Sequence, residues 1–300
     1  ENSIKSSSQL LMISCVLSIV LALLTLIFNK TILVLLFGKV EQSVMDACLT
    51  YLRISAYSYP ALAIYNAGAA LYRSMAKTST TMYISIISNV INVVGNIIGV
   101  FVLDAGVAGV AIPSLIARVF SAIAITYLCF NQKLTTYYKK EEVLSWDANI
   151  LKKVLNIAVP NGIENGIFQL IKVALSSVVA LFGTYQIAAN GIAQSIWSLA
   201  ALINSALSPV FITVIGQCMG AGDIEGAKFY TNKLMKWTVT LAVSWNALVF
   251  IATPLFMQFY NVSSQTKELV IWLVLIHNIF NGFALPFSGA LSSGLRAAGD

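Results

Sequence analysis

Between Gln9 and Ser292 the chain is built from eight apolar runs, joined by short polar connections. They cover 9–28, 45–72, 82–103, 107–130, 154–182, 186–215, 234–259 and 269–292. About 20 apolar residues carry a helix across a hydrocarbon core of roughly 30 Å. The pattern therefore predicts an all-α polytopic membrane protein. Only 10% of residues are charged and 58% are hydrophobic, where a soluble domain carries about 25% charge. The net charge of +6 does not point to nucleic acid. Such binding needs basic residues clustered on a solvated face, and here they lie between apolar runs.

Those basic residues set an orientation. If successive connections alternate sides, one side carries twelve of the eighteen Lys and Arg residues. The other carries Lys30, Lys39 and Lys267, and Arg53, Arg118 and Lys172 fall inside runs. The positive-inside bias puts residues 1–8, 73–81, 131–153, 217–233 and 294–300 in the cytoplasm. The connection 132–153 reads as a cytoplasmic linker, with Lys139-Lys140-Glu141-Glu142 and Trp146-Asp147. It fits a partly amphipathic helix lying on the membrane, or a recognition patch. Cys15, Cys48, Cys129 and Cys218 lie in or beside apolar runs with no CxxC spacing, which suits small packing residues.

One carboxylate stands out. Of the twelve acidic residues, Glu164 alone lies in the interior of an apolar run; the other eleven fall in connections or at run edges, as Asp46 does. A charge in hydrocarbon costs roughly 2.5–3.5 kcal/mol on insertion scales, which makes it a functional-site candidate. Pro160 sits four residues before it and removes a backbone donor, inviting a bend. The plainer reading makes Glu164 a structural partner for Lys172, Arg118 or a polar helix end. Lys172 is two turns on, about 12 Å along the axis.

A shift of 223 residues superimposes the first two runs on the last two. Phe28 falls on Ile251, Gln42 on Gln265, Ala61-Leu62 on Ala284-Leu285, and Arg73 on Arg296. Both copies run in the same direction, six helices apart. That predicts two homologous six-helix bundles related by an axis along the membrane normal. In this register the chain holds the third to tenth of about twelve spans. Residues 1–131 belong to an N-terminal bundle and 154–300 to a C-terminal one. Glu1 in place of an initiator Met fits a piece of a longer chain.

Gly216-Gln217-Cys218-Met219-Gly220-Ala221-Gly222-Asp223 resembles the GQ-x-x-GAG motif of multidrug and toxic compound extrusion (MATE) transporters. Tyr51-Leu52-Arg53-Ile54 resembles the start of that family's fourth helix, and Asn89, Asn92 and Asn96 its Asn-rich fifth. Gly106 to Ile112 is similar to the Gly/Ala entry of the sixth. Pro160 to Asn165 resembles the seventh, and Gly294 to Asp300 the end of the tenth.

The resemblance implies antiport by alternating access. A cationic or amphipathic compound leaves as Na⁺ or H⁺ enters, with no cofactor beyond that ion and no metal beyond a possible Na⁺ at Glu164. It implies small-molecule cationic substrates and membrane lipid as partners, no nucleic acid, and a monomer in the cell membrane. Glu164 matches the region of the family's coupling carboxylate. Its counterpart in the tenth helix is missing, since His277 to Pro286 contains no acid. A sodium ion would need neutral oxygens such as Asn side chains. Asn89, Asn92, Asn96, Gln169, Asn190, Asn204, Asn278 and Asn281 are candidate cavity-lining residues, or interhelical glue. His277 reads as an interface residue or a pH sensor. Gly216, Gln217, Gly220, Gly222, Asp223, Arg73 and Arg296 read as structural: close helix approach, a tight turn, a cap, and cations at helix ends. Pro60, Pro113, Pro160 and Pro286 read as bending points.

Two other classes are weighed. A lipid or lipid-linked oligosaccharide flippase of the same superfamily wants several cavity cations, and only Arg53, Arg118 and Lys172 lie in runs. A membrane enzyme wants a catalytic cluster that one His and one buried carboxylate do not make.

Overall fold

In the computed structural model residues 2–38 and 41–299 are described, and no strand occurs among them. Glu1, Lys39 and Asp300, used above, lie outside the described residues. Each apolar run becomes one helix or an interrupted pair. The first is α1 (Asn2–Phe37), kinked at Phe28. Next come α2 (Gln42–Tyr57) and α3 (Tyr59–Ser74), then α4 (Thr78–Ile97) with a π turn at Ile98–Val102, and α5 (Ala108–Cys129). A single turn, α6 (Lys140–Val143), precedes α7 (Ala148–Ala180). The rest is α8 (Thr184–Ala200), α9 (Leu202–Gly220), α10 (Ile224–Gln258), α11 (Ser264–Phe283), a π turn at Pro286–Leu291, and α12 (Ser292–Ala298). Among the described residues five helices are individually long and apolar enough to cross a membrane, six if the bent α11–α12 pair is one span. The α2–α3 and α8–α9 runs are each split into halves, and α7 is diluted by Asn156, Asn161, Glu164, Asn165 and Lys172.

Proline explains two of the breaks. Pro60 occupies the first turn of α3, where a missing N–H is harmless. Pro286 opens the second π turn. By contrast α5 and α7 run unbroken through Pro113 and Pro160. The ring of Pro113 lies where a side chain on Gly95 would stand, so α4 yields the room.

The chain divides into two compact units, Glu1–Val159 and Pro160–Asp300. In the first, α5 packs on α3 and α4, and α1 on α3. Its core holds Leu11, Leu71, Tyr72, Ile84, Ile125, Cys129 and Tyr138. In the second, α11 packs on α8 and α10, and α9 on α10 and α12. Val249, Val270 and Val274 close one core there, and Phe211, Ile215, Ala227 and Ala290 another. Helix ends follow the internal repeat. The 223-residue shift puts Asn2 on Glu225, Gln42 on Gln265 and Ser74 on Ala297. The observed ends are Ile224, Ser264 and Ala298, each within one residue.

The linker differs from the amphipathic helix expected of it. Only Lys140–Val143 is helical, because α1 side chains take up the linker's backbone groups instead. Gln9, fully buried, donates to the carbonyls of Glu142 (2.6 Å) and Ser145 (2.7 Å), and its Oε1 accepts from the Asp147 N–H at 3.3 Å. Ser8 Oγ accepts from the Lys139 N–H at 3.0 Å. Tyr138 is buried edge-on against Phe130, centroids 5.7 Å apart. Lys5 pairs with Asp147 at 2.6 Å, and Asp147 caps α7 through the N–H groups of Asn149 and Ile150.

The Lys5 ammonium holds the Asp147 carboxyl below its usual range, helped by these capping bonds. A depressed carboxylate pKa adds stability above the unfolded value of about 3.9 and loses it as pH falls through the folded value. Acidification below about pH 4 is expected to loosen the linker. Amide exchange of residues 131–147 across pH checks this, and an Asp147→Asn variant should lose the dependence.

Candidate functional site

Glu164 lies near the middle of α7. Its partner is Arg296 in the last turn of α12, whose Nη2 donates to Glu164 Oε2 at 2.8 Å. Several local features bring the guanidinium there. The π turn at Pro286–Leu291 redirects the chain after α11. Gly294 then seats α12 on α9: a methyl there would stand 2.6 Å from Ile215 Cδ1. Gly299, with φ +94, closes α12 and donates to the Arg296 carbonyl at 3.1 Å. Among the described residues Glu164 has no second ion-pair partner.

Both side chains are partly open, 47% exposed at Glu164 and 33% at Arg296. Solvent-accessible ion pairs are worth about 0–1 kcal/mol. The contact is thus a partly open one, with a single cation at the carboxylate among the described residues. A deeply buried, fully bonded pair would be locked instead.

The other partners considered for Glu164 are placed elsewhere. Lys172 lies over the Trp197 ring, 5.1 Å from its centroid. Arg118, in the first unit, donates to Ser58 Oγ at 2.6 Å. Arg296, read from the sequence as a structural helix-end cation, is the residue that meets Glu164.

The asparagines divide by what they bond. Asn92 donates to Ser114 Oγ at 2.9 Å and Asn96 to Asn92 Oδ1 at 3.0 Å, tying α4 to α5. Asn89 lines a cavity of about 190 Å³ with Arg118. In the second unit Asn204, Asn278 and Asn281 are buried. Asn204 donates to the Asn281 carbonyl at 3.3 Å, and Asn278 to the Asn246 carbonyl at 3.0 Å. Asn246 was not a sequence candidate, although it stands near the middle of its apolar run. Among the described residues of this unit, no hydrogen bond joins Glu164 to Asn204, Asn246, Asn278 or Asn281. Gln169 is exposed on α7, while Asn190 on α8 and His277 on α11 are half-buried.

In the glycine motif, Gly222 makes the turn with φ +74, a conformation only glycine adopts freely. Asp223 caps α10, its Oδ1 accepting the Gly226 N–H at 2.8 Å. Close helix approach is not found at Gly220, where a side chain would meet open space. At Gly216 it would only touch Ala297 at 4.0 Å. Loss of the cap in Asp223→Ala should cost about 1 kcal/mol, read as faster amide exchange over residues 224–228. Arg73, the counterpart of Arg296, sits in the last turn of α3.

The MatE family model matches residues 4–98 and 160–300. The chain belongs to the MatE family, whose members are transporters. It is similar to the uncharacterized transporter YisQ of Bacillus subtilis, 25% identical over 240 residues, which cover 77% of this chain and 51% of YisQ. It is also similar to the probable multidrug resistance protein NorM of Thermotoga maritima, 21% identical over 90% of this chain and 58% of NorM. The chain thus spans about half the length of these curated relatives. An outward-facing MATE family multidrug resistance transporter superimposes with a TM-score of 0.88 at 18% identity, over 99% of this chain and 66% of that one. A MATE structure in the straight conformation gives 0.86 at 17%, covering 99% and 70%.

Proposed function

We propose that this chain is part of a secondary antiporter that exports cationic or amphipathic compounds in exchange for Na⁺ or H⁺ by alternating access. The observation that carries the reading is the half-exposed Glu164–Arg296 pair at 2.8 Å. Glu164 is the single carboxylate in the interior of the apolar runs, and Arg296 acts as its resident counter-ion. A proton, a sodium ion or a cationic substrate competes with the guanidinium for the same oxygens. Holding two cations at one carboxylate is disfavoured, so occupancy by one expels the other, which is exchange. The relatives described as multidrug resistance proteins support the substrate class. The excess of Lys and Arg in alternate connections supports a cytoplasmic placement of both ends, in the cell membrane.

The test is efflux of a fluorescent cation from proteoliposomes of the intact protein, under a Na⁺ gradient and separately under a H⁺ gradient. Acceleration by either supports antiport and identifies the ion. No response to either, with movement of labelled lipid instead, favours the flippase of the same superfamily.

A further inference from the structure

A second charged site lies in the first unit. Arg118 stands near the middle of α5 (Ala108–Cys129), where a charge is costly to hold. Among the described residues no carboxylate lies within ion-pair distance of it. One N–H goes to Ser58 Oγ at 2.6 Å, at the break between α2 and α3. Ser58 is buried, and its own hydroxyl donates to the Ser55 carbonyl at 2.6 Å. Pinning that break takes one donor, which a neutral amide could supply. A guanidinium has five, and the charge is left without a task.

Beside it lies the cavity of about 190 Å³ between α3, α4 and α5. Its polar lining is Arg118, Asn89, Tyr65, Ser85, Ser88 and Ser121. No Asp or Glu lines it. Tyr65 and Ser85 share one hydrogen bond at 2.7 Å, so one of their two hydroxyl protons remains to be given. Asn89 adds an amide. Ser88 and Ser121 give their hydroxyl protons to the Ala117 carbonyl at 3.1 and 3.0 Å. The positive fork beside the remaining neutral donors, with no acidic competitor, fits an oxyanion. Leu62 forms an apolar part of the wall.

We propose that this cavity binds the carboxylate or phosphate group of an amphipathic anion, with Arg118 as the anchoring cation. The binding claim stands on the first unit alone. Only the step from ligand to substrate rests on the transport reading, and it adds acidic amphipaths to the compounds proposed above.

Purified protein in dodecyl maltoside is titrated with 11-(dansylamino)undecanoate and with its methyl ester, without any ion gradient. The acid should bind and the ester should bind more weakly. Arg118→Gln should weaken the acid by roughly 10- to 100-fold, the loss expected for a charge-assisted contact. Leu62→Trp narrows the cavity while leaving the Arg118 and Ser58 residues unsubstituted and should also weaken it, which decides the matter if Arg118→Gln does not fold. Competition then separates the sources. Displacement by phosphatidylglycerol identifies a lipid headgroup, and displacement by decanoate or dodecyl phosphate alone identifies a free amphipath. Either supports the site. Equal binding of acid and ester overturns it, as does unchanged affinity in folded Arg118→Gln or Leu62→Trp.

Discussion

Glu164→Gln is expected to reduce gradient-coupled efflux to the leak rate while the protein stays folded in the membrane. Glutamine keeps the shape of the side chain and removes the charge. The stability at stake is small, because a partly exposed ion pair is worth about 0–1 kcal/mol. The functional loss is large, because no other carboxylate lies in the interior of an apolar run. Efflux by reconstituted protein, normalised to the amount inserted, checks this. Undiminished coupled efflux would remove Glu164 from the mechanism.

Gly99→Ala and Gly109→Ala should each cost about 1–3 kcal/mol, the usual range for overpacking a filled interior. The π turn after α4 meets the start of α5 backbone to backbone at these residues. A methyl on either glycine would run into the other's carbonyl oxygen. A flexible side chain could swing aside, but a hydrogen-bonded backbone cannot. Gly162→Ala on α7 serves as the control, since nothing lies within 4 Å of its added carbon. Thermal unfolding in detergent should show clear losses for the first two and none for the third.

The helices were readable because hydropathy is local. Each apolar run needs only its own residues to declare a span, and even the 223-residue repeat held to within one residue at three helix ends. The Glu164 pairing was not readable. Arg296 lies 132 residues away, and it meets Glu164 only after the Pro286 π turn and the Gly294 seat on α9 have placed α12. In sequence it looks like any cation at a helix end. The linker was misread for a related reason. Its charges suggested an amphipathic helix, but its backbone is bonded by Ser8 and Gln9, which from sequence are merely the polar edge of the first run. The interruption at Ala201 has no proline or glycine at that position to announce it. The oxyanion cavity shows as a lone Arg118 in sequence, and only the packing of α3 and α4 reveals what surrounds it.

The exchangeable Glu164–Arg296 pair is tested most directly by the concentration of coupling ion needed for half-maximal efflux, in wild type and in Arg296→Gln. Without its resident competitor the carboxylate should take the ion more readily. The half-saturating concentration is expected to fall up to about fivefold, the equivalent of about 1 kcal/mol. An unchanged value in the folded variant would contradict competition at Glu164.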